Sequence, residues 1–214
     1  MIHQVSASSP RRRASPLRAQ LREAVARAIL DAAEAVIAER GLPEASLAAI
    51  AERAGVAVGT LYNYHRDRDD LVRALFEARA AEIAPLIEAT TAAARGLPFE
   101  QRLRRYFHDV LAIFDRHRRF MRVVMEAEHL KAPLPRGKKK PLLTAIVGGL
   151  TELVEAGVAE RVLPAGRDEL LVRLLLGNLR SVNLLATEQD RPCADDADLV
   201  ADLFLHGAAR RPAP

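Results

Sequence analysis

Residues 46–65 read SLAAIAERAGVAVGTLYNYH, two short helical patterns that meet at Gly55. Two helices close at a steep angle across such a turn only if the residue that faces it is small, and Ala51 meets that condition. Leu61, six positions after Gly55, is placed to fill the core beneath the second helix, beside Ile50. This spacing predicts a helix-turn-helix. Its second helix would lie in a major groove of DNA, since that groove accepts an α-helix and presents a distinct pattern for each base pair.

The composition around this motif favours an all-α protein. Half of the 214 residues are apolar and 28% are charged, which is enough to bury a core, and Ala and Leu, both strong helix formers, are abundant. A single cysteine, Cys193, excludes an internal disulfide. The longest uncharged stretch, about eleven residues at 141–151, is shorter than the roughly 18 to 20 that cross a bilayer, and the chain opens without a secretory pattern. We therefore expect a cytoplasmic protein that does not engage a membrane.

Breaks in the apolar periodicity divide the chain. Helical spacing begins near Leu21, Gly41 followed by Pro43 ends the first helix, and Pro85 predicts a bend in a long fourth helix. The predicted parts are a disordered basic arm at 1–20, a three-helix DNA-binding head at 21–66 and a larger helical body at 67–214.

The first 22 residues carry five arginines and no acid, within a chain of net charge +4. A basic balance favours a polyanionic partner. An arginine-rich arm can enter a minor groove of DNA, or it can remain a solvated tail, and the composition leaves both interpretations open.

Three segments together resemble the N-terminal domain of the TetR family of transcriptional regulators. They are RAILDAAEAVIAERG at 27–41, the helix-turn-helix stretch at 46–65, and DRDDL at 67–71. The resemblance covers about residues 22–75, and AGVAVGTLYNY is its most specific part. It implies that the head binds a double-stranded DNA operator, that the body binds a small-molecule effector and forms a homodimer, and that the protein is a repressor released from a palindromic operator.

The resemblance also assigns DNA contacts residue by residue. Phosphate contacts fall to Ser46, Thr60, Tyr62, Tyr64 and Arg68. Base contacts fall to Ala57 and Val58, and Asn63 is placed to reach either a base edge or a phosphate. Core packing is the alternative for the two tyrosines, but residues two apart cannot share one helix face, so at least one of them should point outward.

Two residues depart from the family pattern. Ala57 stands where Ser or Thr is common, so the usual side-chain cap of the recognition helix is absent, at a cost of roughly 0.5 to 2 kcal/mol. His65 replaces a customary phenylalanine, and a buried imidazole needs a polar partner, for which Asp69 and Asp70 are candidates.

The body is expected to hold the effector and to join two copies of the chain. The candidate walls of an apolar pocket are Phe107, Phe114, Phe120, Met121 and Met125, with an ordinary core as the alternative. Because one short helix reads too few base pairs, two heads should bind half-sites roughly 34 Å apart or a little more. The resemblance places the last two helices at the dimer interface, through residues 170–186 with Leu199, Leu203 and Phe204.

No pattern indicates catalysis or a metal site. No nucleophile, base and orienting group line up, no glycine-rich phosphate loop occurs, and the spacing of His108, His117 and His129 matches no ligand motif. We predict that the protein is not an enzyme and carries no cofactor and no metal. The alternative function is a helical interaction protein with a degenerate DNA-binding head, and a small helical enzyme is a third class.

Overall fold

The computed structural model describes residues 16–129 and 141–208, and within these ranges its regular elements are helical. The α-helices are α1 (Pro16–Arg40), α2 (Leu47–Arg53), α3 (Val58–Tyr62), α4 (Arg68–Ala93), α5 (Phe99–Arg116), α6 (Arg118–His129), α7 (Pro141–Ala159), α8 (Asp168–Glu188) and α9 (Ala197–Ala208). A single 3-10 turn, Ala194–Asp196, leads into α9. The predicted all-α fold is confirmed.

Helix α1 begins at Pro16, five residues before the predicted start at Leu21. Proline suits the first turn of a helix because its missing N–H would have no partner there. Residues 16–20 are therefore helical rather than part of an unstructured arm, and the rest of that arm, residues 1–15, lies outside the described residues. The other end of α1 is as predicted: Gly41 has φ +88° and its N–H donates to the carbonyl of Ile37 at 2.9 Å.

Helix α4 is the longest element and runs from the head into the body. Asp67 caps its start, accepting a hydrogen bond from the backbone N–H of Asp70 at 2.7 Å. Pro85 lies inside the helix, which continues to Ala93. The bend expected at this proline stays a prediction.

The buried apolar residues form two clusters. The head cluster draws on α1, α2 and α3, and also on Leu71 and Leu75 of α4 and on Val123 and Ala127 of α6. The body cluster draws on α4 to α9, and Phe76 packs against both clusters. The core of the head thus extends beyond residue 66, so the division of the chain at that residue stays a proposal.

Within the body, α4 packs along α7, α7 packs on α8, and α5 packs on α9. Gly149 allows the close approach of α7, because a Cβ atom there would lie 2.6 Å from Thr91 Oγ1 and 2.8 Å from the hydroxyl of Tyr106. That hydroxyl donates to the carbonyl of Ile146 at 2.9 Å. Burial raises the pKa of Tyr106, so the phenol stays protonated and keeps donating.

Helices α7 and α8 are long and apolar enough, by length and composition, to cross a membrane. The search for a long uncharged stretch missed these two helices, because a segment that crosses a membrane can contain one or two charged residues. In each helix 39% of that window is buried inside the protein, and the core helix of a soluble protein passes the same test. The two helices are therefore only weak evidence for a membrane.

Helices α8 and α9 each have one face buried in the body and one exposed face. The residues predicted for the dimer interface are therefore divided between core and surface. Leu171, Leu175 and Leu179 lie in the body core, whereas Leu170, Leu174 and Leu184 are exposed on α8. On α9, Leu199 is 58% exposed and Leu203 is 66% exposed. Placing Phe204 at the interface was wrong, because its ring is buried against its own chain.

Candidate functional site

The turn between α2 and α3 has the geometry that the sequence predicts. Gly55 has φ +68°, and the N–H of Val56 donates to the carbonyl of Ala51 at 3.0 Å. Ala51 and Leu61 are fully buried, the first facing the turn and the second beneath α3. The small and large side chains at these two positions therefore set the angle at which α3 stands on the head.

Helix α3 turns an exposed face away from the head. Val58 and Tyr62 are 41% and 53% exposed, and Ala57 and Asn63 are exposed beside them, while Thr60 is half-buried. Ala57 begins the helix without a side-chain hydrogen bond, as predicted. Helix α3 has only five residues, ending at Tyr62, with Asn63 in the C-cap position.

The two tyrosines point in different directions, so the expectation that at least one faces outward is confirmed. Tyr62 is exposed, whereas the ring of Tyr64 packs against the head cluster. The guanidinium carbon of Arg22 lies 5.9 Å from the centre of the Tyr64 ring, within cation–π range. Arg22, counted in the sequence only among the five arginines of the first 22 residues, thus lies beside the end of α3. The contact could not be read from spacing, because 42 residues separate the two side chains.

Ser46 and Arg68 lie at the starts of α2 and α4, respectively. Ser46 caps α2, its hydroxyl oxygen accepting from the N–H of Ala49 at 3.2 Å, which leaves the hydroxyl hydrogen as a donor. Arg68 donates to the carbonyl of Leu42 and, at 3.4 Å, to that of Pro43. Its guanidinium therefore holds the turn after α1, a role that the sequence did not indicate, and its phosphate contact stays a prediction.

His65 is buried, and its partner is Asp70, one of the two predicted candidates. The distance from His65 Nδ1 to Asp70 Oδ2 is 3.8 Å. Burial lowers the pKa of His65, and the neighbouring Asp70 carboxylate opposes that shift without reversing it. The imidazole is thus favoured in its neutral form within the head.

The comparisons with known proteins identify this head. Residues 29–75 match the model of the bacterial regulatory proteins, tetR family. The N-terminal domain belongs to the tetR family. The chain is 38% identical over 60 residues to a fatty acid metabolism regulator protein of Bacillus subtilis, and 36% identical over 75 residues to the HTH-type transcriptional regulator BetI of Cronobacter sakazakii. These matches cover 28% and 31% of this chain and 31% and 37% of the relatives, so the chain spans about a third of the curated relatives it matches.

The comparison with solved structures extends the likeness in fold to most of the chain. A fatty acid degradation regulator, FadR, from Bacillus halodurans matches with a TM-score of 0.67 at 23% identity, over 85% of this chain and 98% of that one. FadR from Bacillus subtilis, in complex with stearoyl-CoA, matches with a TM-score of 0.68 at 19% identity and the same coverage. At these identities the likeness establishes a shared fold.

The residues predicted to wall an effector pocket lie in the body core. Phe107, Phe114, Phe120 and Met121 are buried, and Met125 is half-buried. The Phe120 ring packs edge-on against Phe76 with centroids 5.3 Å apart. Phe114 also lines a narrow cleft between α5, α6 and α8, open to solvent at one side. Burial of these side chains agrees with the alternative of an ordinary core, and the pocket assignment stays a prediction.

Two polar clusters, which the sequence did not indicate, join the head to the body. Glu126 of α6 accepts from the N–H of Leu42 at 2.6 Å. Arg79 of α4 pairs with Glu34 of α1 at 2.5 Å and with Glu82 at 3.1 Å. Helix α4, which runs from the head into the body, is therefore not alone in linking the two parts, because α6 is bonded directly to the turn that ends α1.

Proposed function

We propose that the protein is a transcriptional regulator, a cytoplasmic repressor that binds a palindromic operator as a homodimer and releases it when a small molecule binds the body. The observation that carries this proposal is the exposed face of α3 on a tetR-family helix-turn-helix. Its outward side chains include an aromatic hydroxyl, an amide and small apolar groups, which suit phosphate oxygens, base edges and thymine methyls respectively.

The dimer is proposed because one α3, five residues long, can read only a few base pairs. The outer face of α8 carries Leu170, Leu174 and Leu184 around the small residues Gly177 and Ser181, all exposed. The exposed leucines of α9 add to the apolar surface. An apolar surface of this kind, interrupted by small residues that permit close helix approach, suits a second copy of the same chain.

An effector class follows from the relatives. One similar structure is described as a complex with stearoyl-CoA, and two relatives are named as regulators of fatty acid metabolism or degradation. Acyl-CoA thioesters are therefore the first effectors to test. The two heads of a dimer can be spaced so that they fit the operator or so that they do not. An effector lowers operator affinity only if it binds the second arrangement more tightly than the first.

Selection of random duplexes by the purified protein tests the proposal. We expect enrichment of a near-palindrome, and a loss of roughly a thousandfold or more in affinity when salt rises from about 50 to 200 mM, because several phosphate contacts release counterions. Failure to enrich any sequence, with weak binding that barely responds to salt, would favour the helical interaction protein with a degenerate head.

A further inference from the structure

The open cleft in the body is bounded by three helices and one loop. Its floor includes Phe114 of α5, Asn183 and Ala186 of α8, and Cys193 of the loop before α9. The lining also includes Asp115, Thr187 and three arginines, Arg118, Arg122 and Arg191. The cleft thus combines a buried amide with cationic donors, a combination that the packed core around it does not share.

An unsatisfied amide lies in this cleft. Asn183 is only 4% exposed, and within residues 16–129 and 141–208 its Nδ2 has no hydrogen-bond partner. Leaving a buried donor unpaired is costly, so native proteins rarely keep one without a use. A donor in such a position fits an acceptor oxygen that arrives from outside the chain.

Two of the arginines already converge on one carboxylate. Arg118 and Arg122, one turn apart on α6, approach the same oxygen of Asp190, Oδ1, at 2.9 and 3.5 Å. Asp190 is 77% exposed. An ion pair with so exposed a carboxylate is weak, so a competing oxyanion can replace Asp190 at little cost. The approach of Arg118 and Arg122 to the same oxygen shows that both guanidinium groups can hold a single oxyanion.

The acid inside the cleft is occupied by other donors. Asp115 accepts from the backbone N–H groups of Cys193 and Ala194 at 2.8 and 3.0 Å. The thiol of Cys193 also lies 3.1 Å from the same carboxylate, and burial and this carboxylate raise its pKa to about 12, so it remains a protonated donor. These hydrogen bonds occupy oxygens of Asp115 but leave its negative charge, so the lining of the cleft carries three guanidinium groups and one carboxylate.

We propose that this cleft binds the carboxylate or phosphate group of the effector, with the Asn183 amide donating to one oxygen and Arg118 and Arg122 to another. Guanidinium groups hold such oxyanions with charge-assisted hydrogen bonds. The effector role rests on the proposed function, whereas oxyanion binding by the cleft does not depend on it.

Helix α6 connects the cleft to the head. Arg118, Arg122 and Glu126 follow one another at intervals of four residues, so they lie along one side of α6. The first two line the cleft, and the third holds the N–H of Leu42 in the head. An oxyanion that draws the first half of α6 toward α8 therefore acts on the turn that ends α1.

Thermal unfolding of the full chain in sodium acetate, sodium phosphate and sodium chloride at equal ionic strength tests the assignment. We expect a saturable rise in Tm in acetate or phosphate beyond that in chloride, and the larger rise identifies the anion class. Asn183→Leu and Arg122→Gln should raise the apparent Kd for that anion about tenfold or more. Arg105→Gln is the matched control, since that arginine is exposed on α5 and pairs with Asp109 at 3.3 Å.

The outcomes separate this inference from the proposed function. If the Tm of the wild-type chain changes equally in all three salts, solvent rather than an oxyanion satisfies the Asn183 amide, and the inference is overturned. It is also overturned if Arg122→Gln and Asn183→Leu respond like the wild type, because the anion then binds elsewhere. Operator binding is measured in parallel: its absence from a wild-type chain that still binds the anion contradicts the proposed function alone.

Discussion

The carboxylate of Glu126 accepts a hydrogen bond from the backbone N–H of Leu42 at 2.6 Å, across 84 residues of sequence. Arg68 of α4 donates to the carbonyl of the same residue. Gly41 allows this approach, since a Cβ atom there would lie 2.8 Å from Glu126 Oε1. The turn that ends α1 is therefore held by a helix of the body and by the first residue of α4, which places it where the two parts of the molecule meet.

We expect Glu126→Ala to destabilise the protein by about 1 to 3 kcal/mol, because the partly buried N–H of Leu42 loses its acceptor. It should also reduce the factor by which an effector changes operator affinity. Urea unfolding measures the first effect and titration of operator DNA with and without effector the second. Glu155→Ala, at an exposed position of α7, serves as the control. Equal stability of the two variants would contradict the structural role of Glu126.

Tyr62→Phe should weaken operator binding by roughly three- to tenfold, as expected for the loss of one hydrogen bond to a phosphate. Tyr62→Ala should weaken it further, because the ring is removed as well. Neither change should alter the free energy of unfolding by more than about 0.5 kcal/mol, since the side chain is exposed. Gel shifts and thermal unfolding measure the two quantities. Unchanged binding by Tyr62→Ala and Arg68→Ala together would discard the predicted phosphate contacts.

Arg22→Gln should weaken operator binding and reduce the slope of log K against log salt by about 0.9 per protomer, because one phosphate contact is lost. The reason is the position of Arg22 over the Tyr64 ring, at the end of the recognition helix. Arg27→Gln removes the same charge from an exposed arginine of α1 that pairs with Glu23, and it should leave the slope closer to that of the wild type. Identical slopes for the two variants would show that Arg22 contributes only general charge.

His65 makes stability depend on pH. Because burial lowers its pKa in the folded state below the ordinary value of 6.5, the unfolded chain binds the proton more readily as pH falls through that value. The stability that the protein gains from a neutral His65 is complete above about pH 6.5. This stability is lost as the pH falls from there toward the pKa of His65 in the folded state. Urea unfolding at neutral and mildly acidic pH should show a smaller loss for His65→Phe than for wild type. His108→Gln, at an exposed position, should retain the wild-type loss.

Leu203→Glu should convert the protein into a monomer, because it places a charge in the apolar surface of α8 and α9 proposed to join two copies. Sedimentation velocity measures the change, and operator affinity should fall with it. Leu86→Glu, which charges a leucine of α4 exposed outside that surface, should leave the dimer intact. A dimer that survives Leu203→Glu would require a different interface.

The sequence alone determined the head and the order of helices. The glycine turn at Gly55, the cap at Ser46 and the end of α1 at Gly41 each depend on residues within about five positions of one another, so local spacing reveals them. The prediction that Asp69 or Asp70 is the partner of His65 was confirmed at Asp70 for the same reason. The early start of α1 was missed because an exposed helix has no apolar period to mark it.

Only the tertiary structure decided which side chains meet across the chain. The bond of Glu126 to Leu42, the stacking of Arg22 on Tyr64 and the cleft around Asn183 join residues that lie tens of positions apart. It also decided which face of α8 is buried, because a helix that is apolar on most sides does not reveal from its own residues which neighbour covers each face. Contacts of this kind depend on how helices pack in three dimensions, and no local pattern encodes that packing.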